Sequence, residues 1–195
     1  YSGFQSNPNL SPEKSDSWEI GFDKSLMSDA LQVGVTLFKA ELKNEIETVY
    51  DCDADWNCVS SPINISGMSR RQGVELNSSL TVHDGLSLTA AYTYTDATQD
   101  NVDEDRRAKH IGSLSATWQA RSNTSFNLNI QHNGSQSDVG NKSLAAYNLV
   151  NLNATYNASE KLDVYLRLDN LLDEDYEEVF GYQTLGFGAS LGVRF

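Results

Sequence analysis

The sequence predicts an all-β protein: a transmembrane, up-and-down antiparallel β-barrel, of which this chain carries about nine strands. Three observations point there. Apolar and polar residues alternate with a period of two in nine separate stretches, the signature of strands with two different faces. The polar positions are mostly Asn, Ser, Thr and Gly with few Lys, which suits a water-filled lumen better than a charged solvent face. The links between stretches alternate between short and long, as they do in outer-membrane barrels.

The first stretch sets Trp18, Ile20 and Phe22 against Glu19, Gly21 and Asp23. In the second, Leu31, Val33, Val35 and Leu37 oppose Gln32, Gly34 and Thr36. Val74, Leu76, Leu80 and Val82 share the apolar face of the third, and Leu86, Leu88, Ala90, Tyr92 and Tyr94 that of the fourth. Leu114, Ala116 and Trp118 mark the fifth, and Phe126, Leu128 and Ile130 the sixth. The seventh carries Val150, Leu152, Ala154 and Tyr156, the eighth Leu162, Val164, Leu166 and Leu168. The tail closes the series with Phe187, Ala189, Leu191, Val193 and Phe195 opposite Gly188, Ser190, Gly192 and Arg194.

Short links fall at Met27-Ser28-Asp29, His83-Asp84-Gly85, Arg121-Ser122-Asn123 and Ala158-Ser159-Glu160, and long polar ones at roughly 50–62, 97–106, 133–146 and 170–183. With a periplasmic C-terminus every short turn lies inside and every long loop outside. Trp18, Tyr92, Tyr94, Trp118 and Tyr156 sit towards strand ends, where interfacial girdles form. A nine-stranded open sheet would leave unpaired backbone groups in lipid at both edges, and bacterial single-chain barrels have even strand numbers. Residues 1–195 are therefore expected to be the C-terminal part of a longer barrel. The competing class is a secreted β-sandwich that binds glycans, whose strands alternate too.

Bulk properties exclude several functions. The net charge of −13 is wrong for a nucleic-acid partner, which needs clustered Lys and Arg. Mean hydropathy is −0.46, and no apolar run approaches the roughly 20 residues of a spanning helix; neither value bears on membrane strands. The chain opens on Tyr1 rather than Met, and no signal peptide is visible. Cys52 and Cys58, alone in one polar loop, suggest a disulfide made in an oxidising compartment.

Gly188-Ala189-Ser190-Leu191-Gly192 matches GxSxG, but a nucleophile elbow needs a sharp turn into a helix, so no enzyme is expected. Asp51, Asp53 and Asp55 are spaced like the start of an EF-hand, yet Trp56 and Pro62 occupy the positions of its Gly and Glu. A calcium ion on these three acids stays open beside the plainer reading of solvated acids on a disulfide-pinned loop. The clusters Asp100, Asp103, Glu104, Asp105 and Asp173, Glu174, Asp175, Glu177, Glu178 are read as solubilising groups that meet lipopolysaccharide through divalent ions, or as a field at the pore mouth. That field would repel an anionic chelate. His83, His110 and His132 are scattered and suggest neither a metal site nor a base. The Asn-x-Ser/Thr triplets at Asn64 and Asn133 are expected by chance in an Asn/Ser-rich chain.

Three stretches carry a family resemblance. Asn7-Pro8-Asn9-Leu10-Ser11-Pro12-Glu13-Lys14-Ser15, leading into Trp18-Glu19-Ile20-Gly21-Phe22, is similar to the segment before a late strand of TonB-dependent receptors. Arg106-Arg107-Ala108-Lys109-His110 resembles the basic start of a following strand in that family. Asp169-Asn170-Leu171-Leu172-Asp173-Glu174-Asp175-Tyr176, with a last strand ending in Phe195, resembles its C-terminal signature. The resemblance implies a 22-stranded outer-membrane barrel of a Gram-negative bacterium, closed by an N-terminal plug and energised through TonB. Neither the plug nor a TonB-contacting segment is visible in this sequence. It also implies that Phe195 is the assembly signal read by the outer-membrane machinery; the simpler role is an interfacial anchor, and both can hold.

Within the family, Glu177-Glu178-Val179-Phe180-Gly181-Tyr182-Gln183-Thr184 resembles the penultimate loop of the vitamin B12 (cobalamin) transporters, departing at Phe187, near where those usually show an arginine. Cobalamin is thus the first expected substrate and a ferric siderophore the alternative. Arg106 matches a position where cobalamin transporters place a substrate-contacting arginine; its plainer reading is a rim residue pairing with Asp105 or lipid phosphate. A tyrosine contact from the next outer loop does not carry over, because Ser135-Gln136-Ser137-Asp138-Val139-Gly140 has no Tyr.

Overall fold

Each alternating stretch can satisfy its backbone only by pairing with a neighbour, and short polar turns make that neighbour the next strand in sequence. The computed structural model, which describes residues 3–195, shows this outcome. Nine long strands form one sheet: β1 (Lys14–Leu26), β2 (Leu31–Lys43), β3 (Met68–His83), β4 (Leu86–Gln99), β5 (His110–Arg121), β6 (Thr124–Asn133), β7 (Tyr147–Ser159), β8 (Leu162–Asp169) and β9 (Gly188–Arg194). They lie side by side in chain order, every pair antiparallel. All nine expected strands are present. Five reach 13 residues or more, longer than the 9–11 a tilted strand needs to cross a bilayer, so the wall continues beyond the hydrocarbon.

Register keeps the two faces separate across the whole sheet. Leu166 lies between Ala154 and Leu191, and Leu76 between Val35 and Tyr92, all on the apolar face. On the opposite face Asn127 lies between Thr117 and Asn153 and donates to Thr117 Oγ1 at 3.0 Å and Ser115 Oγ at 3.2 Å. A one-residue slip would exchange the faces of an entire strand, so this pattern fixes the pairing.

Among the described residues nothing packs against the apolar face. Ile20 is 63% exposed, Leu37 47% and Leu191 76%, and the buried apolar residues among the described ones are Ala97, Ala108 and Leu144, all near the long-loop end. A sandwich would place a second sheet about 10 Å away over this face. The single sheet with its apolar side bare excludes the glycan-binding sandwich and fits a wall whose core is lipid. Trp118 and Phe126 stack with ring centroids 5.7 Å apart near the short turns, where Tyr156 and Phe195 also lie. Near the long loops, Tyr92 shares a 2.7 Å hydrogen bond with His110 Nδ1, and Tyr94 packs on the same imidazole. Amphipathic rings thus mark both ends of the apolar band, as interfacial girdles do.

The lumen face is lined by small and polar groups, with one glycine explained by its neighbour. Tyr165 pairs with Gly192, and its ring occupies the space a Cβ there would need. β1 and β9 each have one partner and bound the sheet on its two sides.

The long loops depart from the expectation of irregular chain. Ile46–Cys52 and Cys58–Asn64 form a hairpin of their own, with Gly3–Phe4 added in parallel to its second strand. Gln136–Asp138 pairs with Lys142–Leu144, Glu177–Val179 with Tyr182–Gln183, and Val102–Asp103 with the end of β4. The sequence hides these short strands because none carries a run of alternating apolar residues: in Ile46–Cys52, for example, every residue is exposed, so no apolar face marks the strand.

A candidate ligand site in the outer crown

At the long-loop end the wall gives way to a crown held by polar bonds. Its centre is Asp138, the largest fully buried side chain among the described residues. The sequence gives no hint of it. Asp138 Oδ1 takes the Arg106 Nε–H at 2.5 Å and the Val139 N–H at 2.7 Å, and Oδ2 takes the Phe180 N–H at 2.7 Å. Three outer loops therefore meet on one carboxylate. The Phe180 amide, then the Arg106 guanidinium, then the Val139 amide hold its carboxyl below the usual aspartate range, against the opposing pull of burial. Lys142, opposite Asp138 in the hairpin, sets its ammonium 4.9 Å from the centre of the Phe180 ring.

Arg106 thus pairs with Asp138, not with the adjacent Asp105. Its own N–H donates to Ser137 O at 2.8 Å, and its backbone sits in the left-handed region at φ 59°. The side chain is 47% exposed while Asp138 is sealed. The loop that offers no tyrosine offers instead the carboxylate that fixes this arginine.

Beside this clasp a second ionic chain crosses the mouth. Arg71 lies between Glu45 at 3.4 Å and Glu104 at 3.1 Å, and Glu104 also takes Arg107 at 3.3 Å. Lys109 bridges Asp103 at 3.0 Å and Asp96 at 3.5 Å; the hydrogen bond to Asp103 is the main reason its ammonium holds its proton above the ordinary lysine range. Six acids of the expected solvated clusters are therefore engaged: Glu104 and Asp103 in ion pairs, Asp173, Asp100 and Glu177 by the backbone N–H groups of Phe187, Met68 and Gly181, and Glu178 by the Tyr147 hydroxyl.

Two recesses share Tyr147 in their lining. One of about 350 Å³ is lined by Leu144, Tyr147, Tyr176 and Glu177; another of about 220 Å³ lies along Thr93, Ile111, Gln131, Asn133 and Tyr147 on the lumen face. Tyr147 joins the two, its ring 4.4 Å from that of Tyr176 and its hydroxyl donating to Glu178 Oε1 at 3.5 Å. The sequence does not disclose that the two tyrosines meet, since partners brought together only by loop packing leave no spacing signal.

The other sequence-selected residues lie elsewhere. Cys52 and Cys58 are disulfide-bonded across the hairpin end. Between them Asp53 accepts from the Asp55 N–H at 3.0 Å, the Asn57 N–H at 2.8 Å and Asn57 Nδ2 at 2.9 Å. The Asn57 side-chain amide leads in keeping the Asp53 carboxyl in its charged form to lower pH than usual. Asp51, Asp53 and Asp55 do not converge: among the described residues no three His, Cys, Asp or Glu side chains group as a metal would need. The acid spacing of Asp51–Asp55 serves a turn. Ser190 lies within β9, between Arg167 and the open side of the sheet, with no turn beside it. His110 and His132 are engaged by Tyr92 and Asn148. Phe195 follows β9 and is 94% exposed.

One lipid-facing wall under an ion-paired crown defines an outer-membrane β-barrel protein. Residues 1–171 match the family model described as TonB dependent receptor-like, beta-barrel, and the chain belongs to that family. Its location is accordingly the outer membrane of a Gram-negative bacterium. Among solved structures it resembles the ferric-catecholate import receptor Fiu of E. coli, at 20% identity and TM-score 0.75, covering 96% of this chain and 28% of that one. It also resembles the ferric enterobactin receptor PfeA of Pseudomonas aeruginosa, at 23% identity and TM-score 0.75, covering 98% and 32%. The copper transporter OprC follows at 18% identity and TM-score 0.76, covering 96% and 32%. The chain spans about a third or less of these neighbours.

Proposed function

We propose that this chain is the C-terminal wall and part of the mouth of a receptor that captures a ferric siderophore outside the cell and imports it with energy delivered through TonB. The clasp carries the reading: an arginine held half-exposed at the mouth by a buried carboxylate is a ready anchor for the anionic oxygens of an iron chelate. The ligands of the ferric-catecholate and ferric enterobactin receptors support the same class. They favour the siderophore over cobalamin, the substrate the sequence put first. Arg106 is the proposed contact, and the roles in this reading are those of a transporter, not an enzyme. TonB acts through a plug outside this chain, the assembly machinery reads Phe195, and lipopolysaccharide surrounds the crown.

Cobalamin is the second reading. It rests on the Glu177–Thr184 stretch and on the excess of acid at the mouth, which a near-neutral ligand tolerates better than an anionic one. Binding of ferric enterobactin, a neutral ferric trihydroxamate, cupric ion and cyanocobalamin to the full-length receptor separates the readings. Saturable binding of a ferric chelate, weakened about tenfold or more by Arg106→Ala, is expected from a lost charge-assisted hydrogen bond. Binding of cyanocobalamin alone would move the assignment to the second reading.

A further inference from the structure

The Arg106–Asp138 pair is lopsided, and the lopsidedness is informative. A buried ion pair gains little stability over apolar residues of the same volume, because desolvation offsets the attraction. Here Asp138 is fully sealed while Arg106 keeps nearly half its side chain in solvent. Only Nε is engaged by the carboxylate, and among the described residues no acceptor meets the two terminal nitrogens. The backbone of Arg106 is tied to the same hairpin through Ser137 O. A flexible side chain is thereby held at both ends of its stem, with the outer edge of the guanidinium presented as a two-pronged donor.

We infer that Asp138 is a positioning residue for ligand capture: it fixes Arg106 by Nε so that the terminal nitrogens grip paired oxygens of an anionic ferric chelate. The same carboxylate seats the last outer loop through Phe180 N–H, placing that loop beside the bound chelate. The inference rests on the siderophore reading above. Its physical content is preorganisation, since an arginine already immobilised loses less freedom when the ligand arrives.

The sign of one substitution separates positioning from plain electrostatics. Asp138→Asn removes a negative charge from the mouth, so charge alone makes an anionic chelate bind more tightly. Positioning makes it bind about tenfold more weakly, with the loss in the dissociation rate. The test measures ferric enterobactin binding to the full-length receptor as wild type, Asp138→Asn, Arg106→Ala, the double variant and Arg106→Lys. Heat-modifiable migration of each on SDS gels reports the folded barrel. Asp138→Asn is expected to weaken binding in the wild-type background and to change it less than twofold where Arg106 is already Ala. Arg106→Lys, which retains charge and fold but not the planar fork, is expected to bind like Arg106→Ala. Tighter binding by Asp138→Asn, equal losses in both backgrounds, or wild-type binding by Arg106→Lys would each overturn the inference. A wild-type receptor that binds cyanocobalamin and no ferric chelate would instead overturn the reading beneath it.

Discussion

The wall and the crown are built on opposite rules. In the wall, apolar side chains point away from the protein, the polar ones point into it, and the buried interior typical of a soluble domain is missing. Cohesion comes from lipid and from an antiparallel ladder whose register shifts fall beside the short turns. In the crown, the most deeply buried group is a carboxylate, and cohesion comes from a small set of directed bonds on Asp138, Arg71 and Glu104. The lesson is that lipid is a forgiving partner and a hydrogen bond is not. Any Leu, Val or Phe serves on the wall, whereas no other residue reproduces the three bonds of Asp138.

The wall should therefore respond most strongly to charge on its outer face. Leu166→Arg, in the middle of β8 between Ala154 and Leu191, is expected to cost about 2–4 kcal/mol of stability in bilayers. Urea titration of the refolded full-length protein in vesicles measures it. A cost near zero would mean that this face does not meet hydrocarbon.

A smaller effect is expected at the crown's hairpin. Six positions separate Cys52 from Cys58, and opening so short a loop costs about 2 kcal/mol on chain-entropy grounds, confined to residues 46–64. Reduction should make this hairpin susceptible to surface proteases and leave the barrel's thermal unfolding in place. Loss of the whole barrel on reduction would show that wall and crown are not separable.

The clasp should be pH-sensitive in one direction only. The folded Asp138 carboxyl titrates below its ordinary value of about 4, so the ionised form stabilises the crown fully above that value. That contribution disappears as pH falls through the lower, folded value. Hydrogen exchange at the Phe180 and Val139 amides should accordingly be unchanged from pH 7 to 5 and accelerate, beyond its intrinsic pH dependence, only under strong acid. Loss of protection between pH 7 and 5 would place the controlling group elsewhere. The smallest effect is expected at Arg167, whose pairing with Asp169 at 2.8 Å lies exposed on the lumen face; Arg167→Ala should change stability by less than about 1 kcal/mol.

How much of each region the sequence discloses follows from the same contrast. Leu162, Val164, Leu166 and Leu168 disclose β8 because a solvent boundary runs along the strand, and a boundary writes a period into the residues. The strand Ile46–Cys52 is exposed at every residue and writes none. Arg106 is legible through its place in a family motif, but its partner is not: Asp138 lies 32 positions away, in a loop whose composition marks only a turn. Tyr147 and Tyr176 meet for the same reason, through loops folding back over the strand ends. The acids at Asp51, Asp53 and Asp55 show the converse, a spacing that suggests an ion and folds into a turn in which Asp53 accepts backbone and side-chain donors.

Single-residue accessibility along β8 tests the central claim most directly. Spin labels placed singly at residues 163–168 of the full-length receptor in bilayers should alternate. At Val164, Leu166 and Leu168 oxygen should relax the label more than a polar nickel complex does; at Asp163, Tyr165 and Arg167 the order should reverse. Equal relaxation at both sets, or a polar environment at Leu166, would contradict a wall that separates hydrocarbon from water.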